Sequence, residues 1–410
     1  GATRTSIASC GTSPFALTRA ARPLRRAKGV LLVANYEPDV GYAWWLMERF
    51  WLEVAEICRA GQRECFVAYP AAGPIPEGIQ AAGIEVVTAD FGRRQPSRLK
   101  AQLSLVARLG VDTLYLTDWG FRDPIYGLYR HAGVRTIINH DHTPGDRPRA
   151  CGPKGLAKTF LNNIDAITCD HWICISPLML ARARPNARIP ESRCAVVQNG
   201  IDPFERDEKT RLSIRSQLGL SEHCMAVVNV GRATSYKGID FVIRVAAAIR
   251  ERGKGVRFFQ VGDGPESRRL HELAVGLGLD DNAFTFLGRR KDVRRILPAF
   301  DVALHASEGE GFSLAILEYM SAGLATLVPD VPSVKQAVDH GRTGLVYAHR
   351  SLESAVHALE AVRNPQVRRR LGDASAHEVA TRYSWQRTRT EFRTLMCEWL
   401  NVGADPLIGA

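Results

Sequence analysis

The sequence predicts an α/β protein built from two doubly wound, parallel-sheet domains that face each other across a cleft. Three observations carry this. Short segments that are apolar throughout alternate with helical stretches from Gly29 onward, as in parallel sheets covered on both faces. The alternation stops at a polar, charged segment, Pro203–His223. It then restarts and runs almost to the end of the chain.

In order, "GVLLVAN" reads as the first strand, followed by a helix over Gly41–Ala60, then the strands "RECFVAYP" and "IEVVTAD" around a short helix. A helix near Pro96–Leu109 precedes "VDTLYLT", and another precedes "VRTIINH". After a Gly/Pro-rich loop and a helix near Gly155–Asp165 come "HWICIS", a helix and "CAVVQNG". The second array holds "AVVNV", a helix near Gly238–Arg252, "VRFFQVGDGP", a helix, "AFTFLG", a helical Asp292–Ala299, "DVALHAS" and "LATLVP". "TGLVYA" and three helices follow, the last near Trp385–Leu400. The expected division is a basic arm 1–28, a first domain 29–203, a linker 204–221, a second domain 222–383, and a crossover helix and tail 384–410. Ligands of such folds sit at the carboxyl ends of the strands.

The 410 residues carry a formal charge of +11, which favours an anionic partner: a phosphorylated ligand, an acidic membrane surface or nucleic acid. No aromatic-interleaved basic motif or helix-turn-helix supports specific nucleic-acid binding. No run of about 18 apolar residues predicts a membrane-spanning helix. The nine cysteines are scattered without a CxxC, so they read as reduced intracellular thiols and not as a zinc site. The opening "GATRTSIASCGTSPFALTRAARPLRRAKG" is basic, acid-free and without an apolar core. It is expected to be a poorly ordered arm, with a leader lying on the protein or a membrane surface as the alternative, and not a secretory signal. The expected location is the cytoplasm, with reversible attachment to the cytoplasmic membrane face.

The most informative stretch is "SEGEGFSLAILEYMSAG", Ser307–Gly323, with Glu310 and Glu318 eight residues apart. The strand before it should end near Ser307 and the helix after it begin near Phe312 or Ser313. Free N–H groups at such a helix start suit a phosphate. Glu310 would lie in the turn, facing the ligand. Glu318 would lie in the helix among apolar neighbours, where a carboxylate needs partners such as the paired hydroxyls of a ribose. In "VNVGRATSYKGIDF", Gly231-Arg232 and Lys237-Gly238 place two cations on a glycine-bearing loop ahead of a helix. Arg as a fork and Lys as a point charge suit a diphosphate; the spacing is not that of a Walker loop.

Together these residues resemble glycosyltransferase family 4, retaining enzymes of the GT-B fold. The resemblance rests on Gly231-Arg232 with Lys237-Gly238, Gly262-Asp263-Gly264-Pro265, Phe286-Leu287-Gly288, Ser307–Gly323 and the "NGID" of Asn199–Asp202. It implies a nucleotide-diphosphate sugar donor in the second domain, with Glu318 on the ribose and Glu310 on the sugar. Arg232 and Lys237 would balance the diphosphate. Gly231, Gly262, Gly264 and the backbone of Gly311, Phe312, Ser313 and Leu314 would contact donor, with Leu287–Arg290 by the base. In the first domain it implies a donor contact at Gly41 and a catalytic His140, with His142 close by. The first loop, "PDVGYAWW", keeps only Gly41 where the family has two glycines; Ser313 and Gln336 stand where Gly and Glu are common.

The implied activity is retaining transfer of a hexose-type sugar to a hydroxyl of a glycan or lipid-linked glycan, as in polysaccharide or lipopolysaccharide biosynthesis, with no metal or cofactor. The rival readings are a sugar-nucleotide epimerase or phosphorylase of the same fold, and a non-catalytic nucleotide-sugar-binding protein. Trp44, Trp45, Met47, Phe50 and Trp51 on the first helix read as packing between sheet and cleft. An acceptor- or membrane-facing surface is the alternative.

Overall fold

The computed structural model describes residues 29–38, 44–92, 94–143, 149–253 and 255–403. The basic arm and Gly41 therefore lie outside the described residues. Within them, thirteen strands form two wholly parallel sheets. The first sheet holds β1 (Gly29–Val33), β2 (Glu64–Tyr69), β3 (Glu85–Thr88), β4 (Val111–Thr117), β5 (Thr136–Asp141), β6 (His171–Cys174) and β7 (Cys194–Val196) in the order β3-β2-β1-β4-β5-β6-β7. The second holds β8 (Met225–Val230), β9 (Val256–Val261), β10 (Phe284–Gly288), β11 (Val302–Leu304), β12 (Ala325–Pro329) and β13 (Leu345–Tyr347) in the order β10-β9-β8-β11-β12-β13. Each order reverses once, between β1 and β4 and between β8 and β11. A crevice opens at the carboxyl ends of the strands at such a reversal.

The central strands are buried along their whole length, as in β1 and β12, because helices cover both faces. The helix Glu208–Gln217 falls within the segment expected as a linker. Its Arg215 is buried and donates to the Ala299 carbonyl and to Asp301, which ties this helix to the second domain.

The chain crosses between domains at Asn199–Asp202 and returns at Tyr383–Trp385. Ile201 and Ser384 pair as a short parallel bridge. Thr388 Oγ1 donates to the Gln198 carbonyl at 2.7 Å. The last helix, Trp385–Trp399, then packs on the first, Trp45–Ala60. Phe50 meets Phe392 at 4.7 Å between ring centroids, and Arg393, buried, reaches Glu53 at 2.5 Å and Glu56 at 2.9 Å.

Candidate active site

The second-domain reversal gathers three strand ends. After β8 the chain turns at Gly231 and runs past Arg232 to Lys237. After β9 it turns at Gly262 and Gly264. These turns interlock: Gly231 N–H donates to Val261 O (2.9 Å), Gly262 N–H to Gly288 O (2.8 Å) and Ala233 N–H to Asp263 O (3.1 Å). Gly238 sits at φ +65°, and a Cβ there would lie 2.2 Å from the Ala306 carbonyl oxygen. Only glycine allows both the left-handed backbone and the approach of this loop to the end of β11. That approach puts Lys237 against Glu310.

Glu310 is the centre of the cluster. Its Oε1 accepts from Lys237 Nζ at 2.6 Å and faces His305 Nε2 at 3.2 Å. Burial opposes ionisation of Glu310, but the Lys237 charge and the His305 contact outweigh it and hold its pKa down to about 2, so Glu310 is a carboxylate at neutral pH. Burial pushes the His305 imidazole below the usual histidine range, against the pull of Glu310. The turn itself is braced: Glu310 N–H points to Ser333 Oγ at 3.4 Å, and Gln336 Nε2 donates to the Gly311 carbonyl at 2.9 Å.

Ser313 accepts from Ile316 N–H and caps the helix Leu314–Ser321, which explains a serine at a position where glycine is common. Phe312 is buried against Tyr383, 5.5 Å between ring centroids. On the helix, Glu318 is 2% exposed and so does not lie on a solvated face. Its neighbour Tyr319 spans to β8, where its hydroxyl accepts from Val230 N–H (2.6 Å) and contacts Val230 O (3.2 Å). The Arg232 side chain is exposed, with no hydrogen bond or ion pair among the described residues, while its carbonyl accepts from Thr234 N–H at 2.7 Å. Leu287 lies on β10. Arg290, just beyond, forms a two-pronged pair with Asp292 at 2.8 and 2.7 Å.

The first domain faces this cluster. A Cβ at Gly311 would stand 2.8 Å from the His142 carbonyl oxygen and 3.0 Å from Ile175 Cδ1, so the two domains touch through a glycine. His140, implied as catalytic by the resemblance, is buried in the first domain. His140 is 0% exposed, hydrogen-bonded through Nδ1 to Tyr115 at 2.6 Å and packed beside Phe50 and Phe392. Phe50 of the first helix and Phe392 of the last cover it, and the His142 ring, on the same face of the strand, lies 4.2 Å away. His142, two residues on, is the member of the pair next to the second domain. Its N–H donates to Asp118 Oδ1 at 2.5 Å.

Sequence reasoning missed His305, Tyr319 and Ser333. A histidine inside the apolar strand "DVALHAS" was the available signal for the first. The other two act through partners distant in sequence.

Residues 225–364 match the family described as glycosyl transferases group 1. This region belongs to the group 1 glycosyltransferases. The chain is 24% identical over 207 residues to N-acetyl-alpha-D-glucosaminyl L-malate synthase of Bacillus anthracis, covering 50% of this chain and 54% of that protein. It is 31% identical over 204 residues to the D-inositol 3-phosphate glycosyltransferase of Saccharomonospora viridis, covering 47% of each. The matches thus span about half the length of these curated relatives. Among solved structures, a glycosyltransferase from Rickettsia africae superposes with a TM-score of 0.74 at 16% identity, over 92% of this chain and 99% of that one. Anabaena HepE in complex with UDP and glucose gives 0.70 at 17% identity, over 91% and 99%. The chain has the GT-B fold.

Proposed function

We propose that this protein is a retaining hexosyltransferase that moves a sugar from a nucleotide-diphosphate donor to a hydroxyl of a glycan or lipid-linked glycan. The observation that carries the reading is the Lys237–Glu310–His305 cluster at the mouth of the second-domain reversal, with the exposed Arg232 on the same loop. A fixed carboxylate beside two cations suits a sugar diphosphate: hydroxyls for the one, negative charge for the others. HepE was solved with UDP-glucose, and this supports the same donor class here.

In this reading Arg232 and Lys237 oppose the charge that builds on the departing diphosphate, so their effect is larger in the transition state than in the bound donor. Glu310 Oε1 is held by Lys237 and His305, which leaves Oε2 for a sugar hydroxyl. Glu318 takes the ribose hydroxyls. The departing diphosphate accepts the acceptor's proton on the face it leaves, and the anomeric configuration is kept. Two protein cations take the charge-balancing role, so a metal is not required. The charge of +11 supports reversible attachment to an anionic membrane surface.

Proton NMR of the first-formed product from UDP-glucose and a glycoside acceptor, with and without chelator, tests this. The expected result is an α-linked product formed at an unchanged rate in chelator. A β-linked product would overturn the retaining mechanism.

A further inference from the structure

At the first-domain reversal, next to the cleft, lies an aromatic cluster that the donor reading does not use. Tyr36 follows β1, Tyr69 ends β2, and Trp44 and Trp51 come from the start of the first helix. Tyr36 stacks on Trp44 at 4.3 Å and on Trp51 at 5.8 Å, and Tyr69 meets Tyr36 and Trp51 edge-on at 6.1 and 6.0 Å. A plain hydrophobic core would use Phe here, because Tyr and Trp belong where their O–H and N–H find partners. Yet Tyr36 Oη, Tyr69 Oη and Trp51 Nε1 are all buried without a hydrogen bond among the described residues. Each such group is destabilising when buried without a partner, and three in one cluster ask for an explanation. Glu48, a turn beyond Trp44, also has no hydrogen bond or ion pair among the described residues, and burial pushes its carboxyl up to about 7.

The cluster is continuous with the donor site. Asn35, beside Tyr36, donates to Asp118 Oδ2 at 3.4 Å. Asp118 holds His142 N–H, and the His142 carbonyl meets Gly311. The nearest cation on the same helix, Arg49, is engaged by Asp202 at 2.5 Å and lies 4.1 Å from the Trp385 ring centroid.

We infer that Tyr36, Trp44, Glu48, Trp51 and Tyr69 form an acceptor subsite for an uncharged, hydroxyl-rich ring, a hexopyranose unit of the acceptor. This rests on the transferase reading of the cleft. Trp44 and Glu48, both half-buried, form the entrance; the polar edges of Tyr36, Tyr69 and Trp51 form the floor. The C–H face of the ring lies against indole, and its hydroxyls supply the missing partners. Among the described residues an anionic acceptor finds no free cation here and faces the Asp118 carboxylate.

The test titrates p-nitrophenyl glucoside, galactoside, mannoside and N-acetylglucosaminide into the full chain saturated with UDP, and into Trp44→Ala, Glu48→Ala and Tyr36→Phe. At least one glycoside should bind, and each substitution should weaken it about tenfold, with UDP affinity unchanged. Tyr36→Phe should also melt at a higher temperature, since it removes an unpartnered hydroxyl. Gain of stability with unaltered glycoside binding would show ordinary core packing and overturn the subsite. So would the absence of glycoside binding to the UDP-loaded protein, or equal competition by inorganic phosphate. If UDP fails to bind while a glycoside binds and responds to the three substitutions, the subsite stands and the donor reading falls.

Discussion

Glu310 shows how a buried charge is kept. Its pKa in the folded chain is held down to about 2 from an ordinary 4.5, so the stability it contributes is present above about pH 4.5 and is lost as pH falls toward 2. The size is on the order of a few kcal/mol. Glu310→Gln should therefore lose less stability than the wild type between pH 5 and pH 3 in urea titrations; parallel losses would refute the pairing. His140, His142 and His305 are all held below the ordinary 6.5 by burial. They bind protons more readily unfolded, so stability should already decline as pH falls below about 6.5. Tyr319→Phe leaves the Val230 N–H without its partner and should cost about 1–3 kcal/mol, with donor KM raised because the Gly231 turn loosens. Unchanged urea midpoints would contradict this. Glu310 and Lys237 were legible in the sequence because each stands at a strand end beside glycines. Their contact was not, since it joins loops 73 positions apart. His305 escaped because its partner is set by the turn's geometry, not by spacing. His140 stands one residue before the end of its strand, at Asp141, and its burial, set by the helices packed above it, has no local signal in the sequence.

At the scale of elements, the strand-by-strand reading followed from buried parallel strands, which are apolar on both faces. The helix Glu208–Gln217 was read as linker because its sequence is charged; its one buried arginine, Arg215, reaches backbone carbonyls that no local pattern reveals. Two elements carry measurable load. The loop before the helix Ile239–Glu251 depends on Gly238, so Gly238→Ala should push Lys237 off Glu310 and weaken UDP binding at least tenfold. Titration of the purified variant reads this directly, and wild-type affinity would show that the loop does not set the site. The last helix depends on Arg393. Glu53→Ala takes the 2.5 Å carboxylate away from that buried guanidinium and should cost about 3–5 kcal/mol, seen as a lower melting temperature. A melting temperature equal to wild type would show that the ion pair does not hold the helix.

For the whole molecule, two crossings join the domains side by side: Ile201 N–H donates to Tyr383 O and Trp385 N–H to Ile201 O, each at 2.9 Å. Arg49 of the first domain clamps the same point through Asp202 and Trp385. The domains meet again where Gly311 faces His142. The Lys237–Glu310 pair, the first-domain aromatic cluster and the crossing are therefore linked through contacts between the two domains. Charge acts over the whole surface too. Sedimentation should be greater with anionic than with neutral vesicles and should be reversed by salt; equal sedimentation would remove the membrane attachment and leave the enzymatic reading intact. Calorimetric titration of UDP into the full chain, Lys237→Ala and Glu318→Gln measures most directly whether the second-domain reversal is a nucleotide-sugar site. One UDP per chain is expected, weakened about 10- to 100-fold by either substitution; no binding, or equal binding by all three proteins, would contradict it.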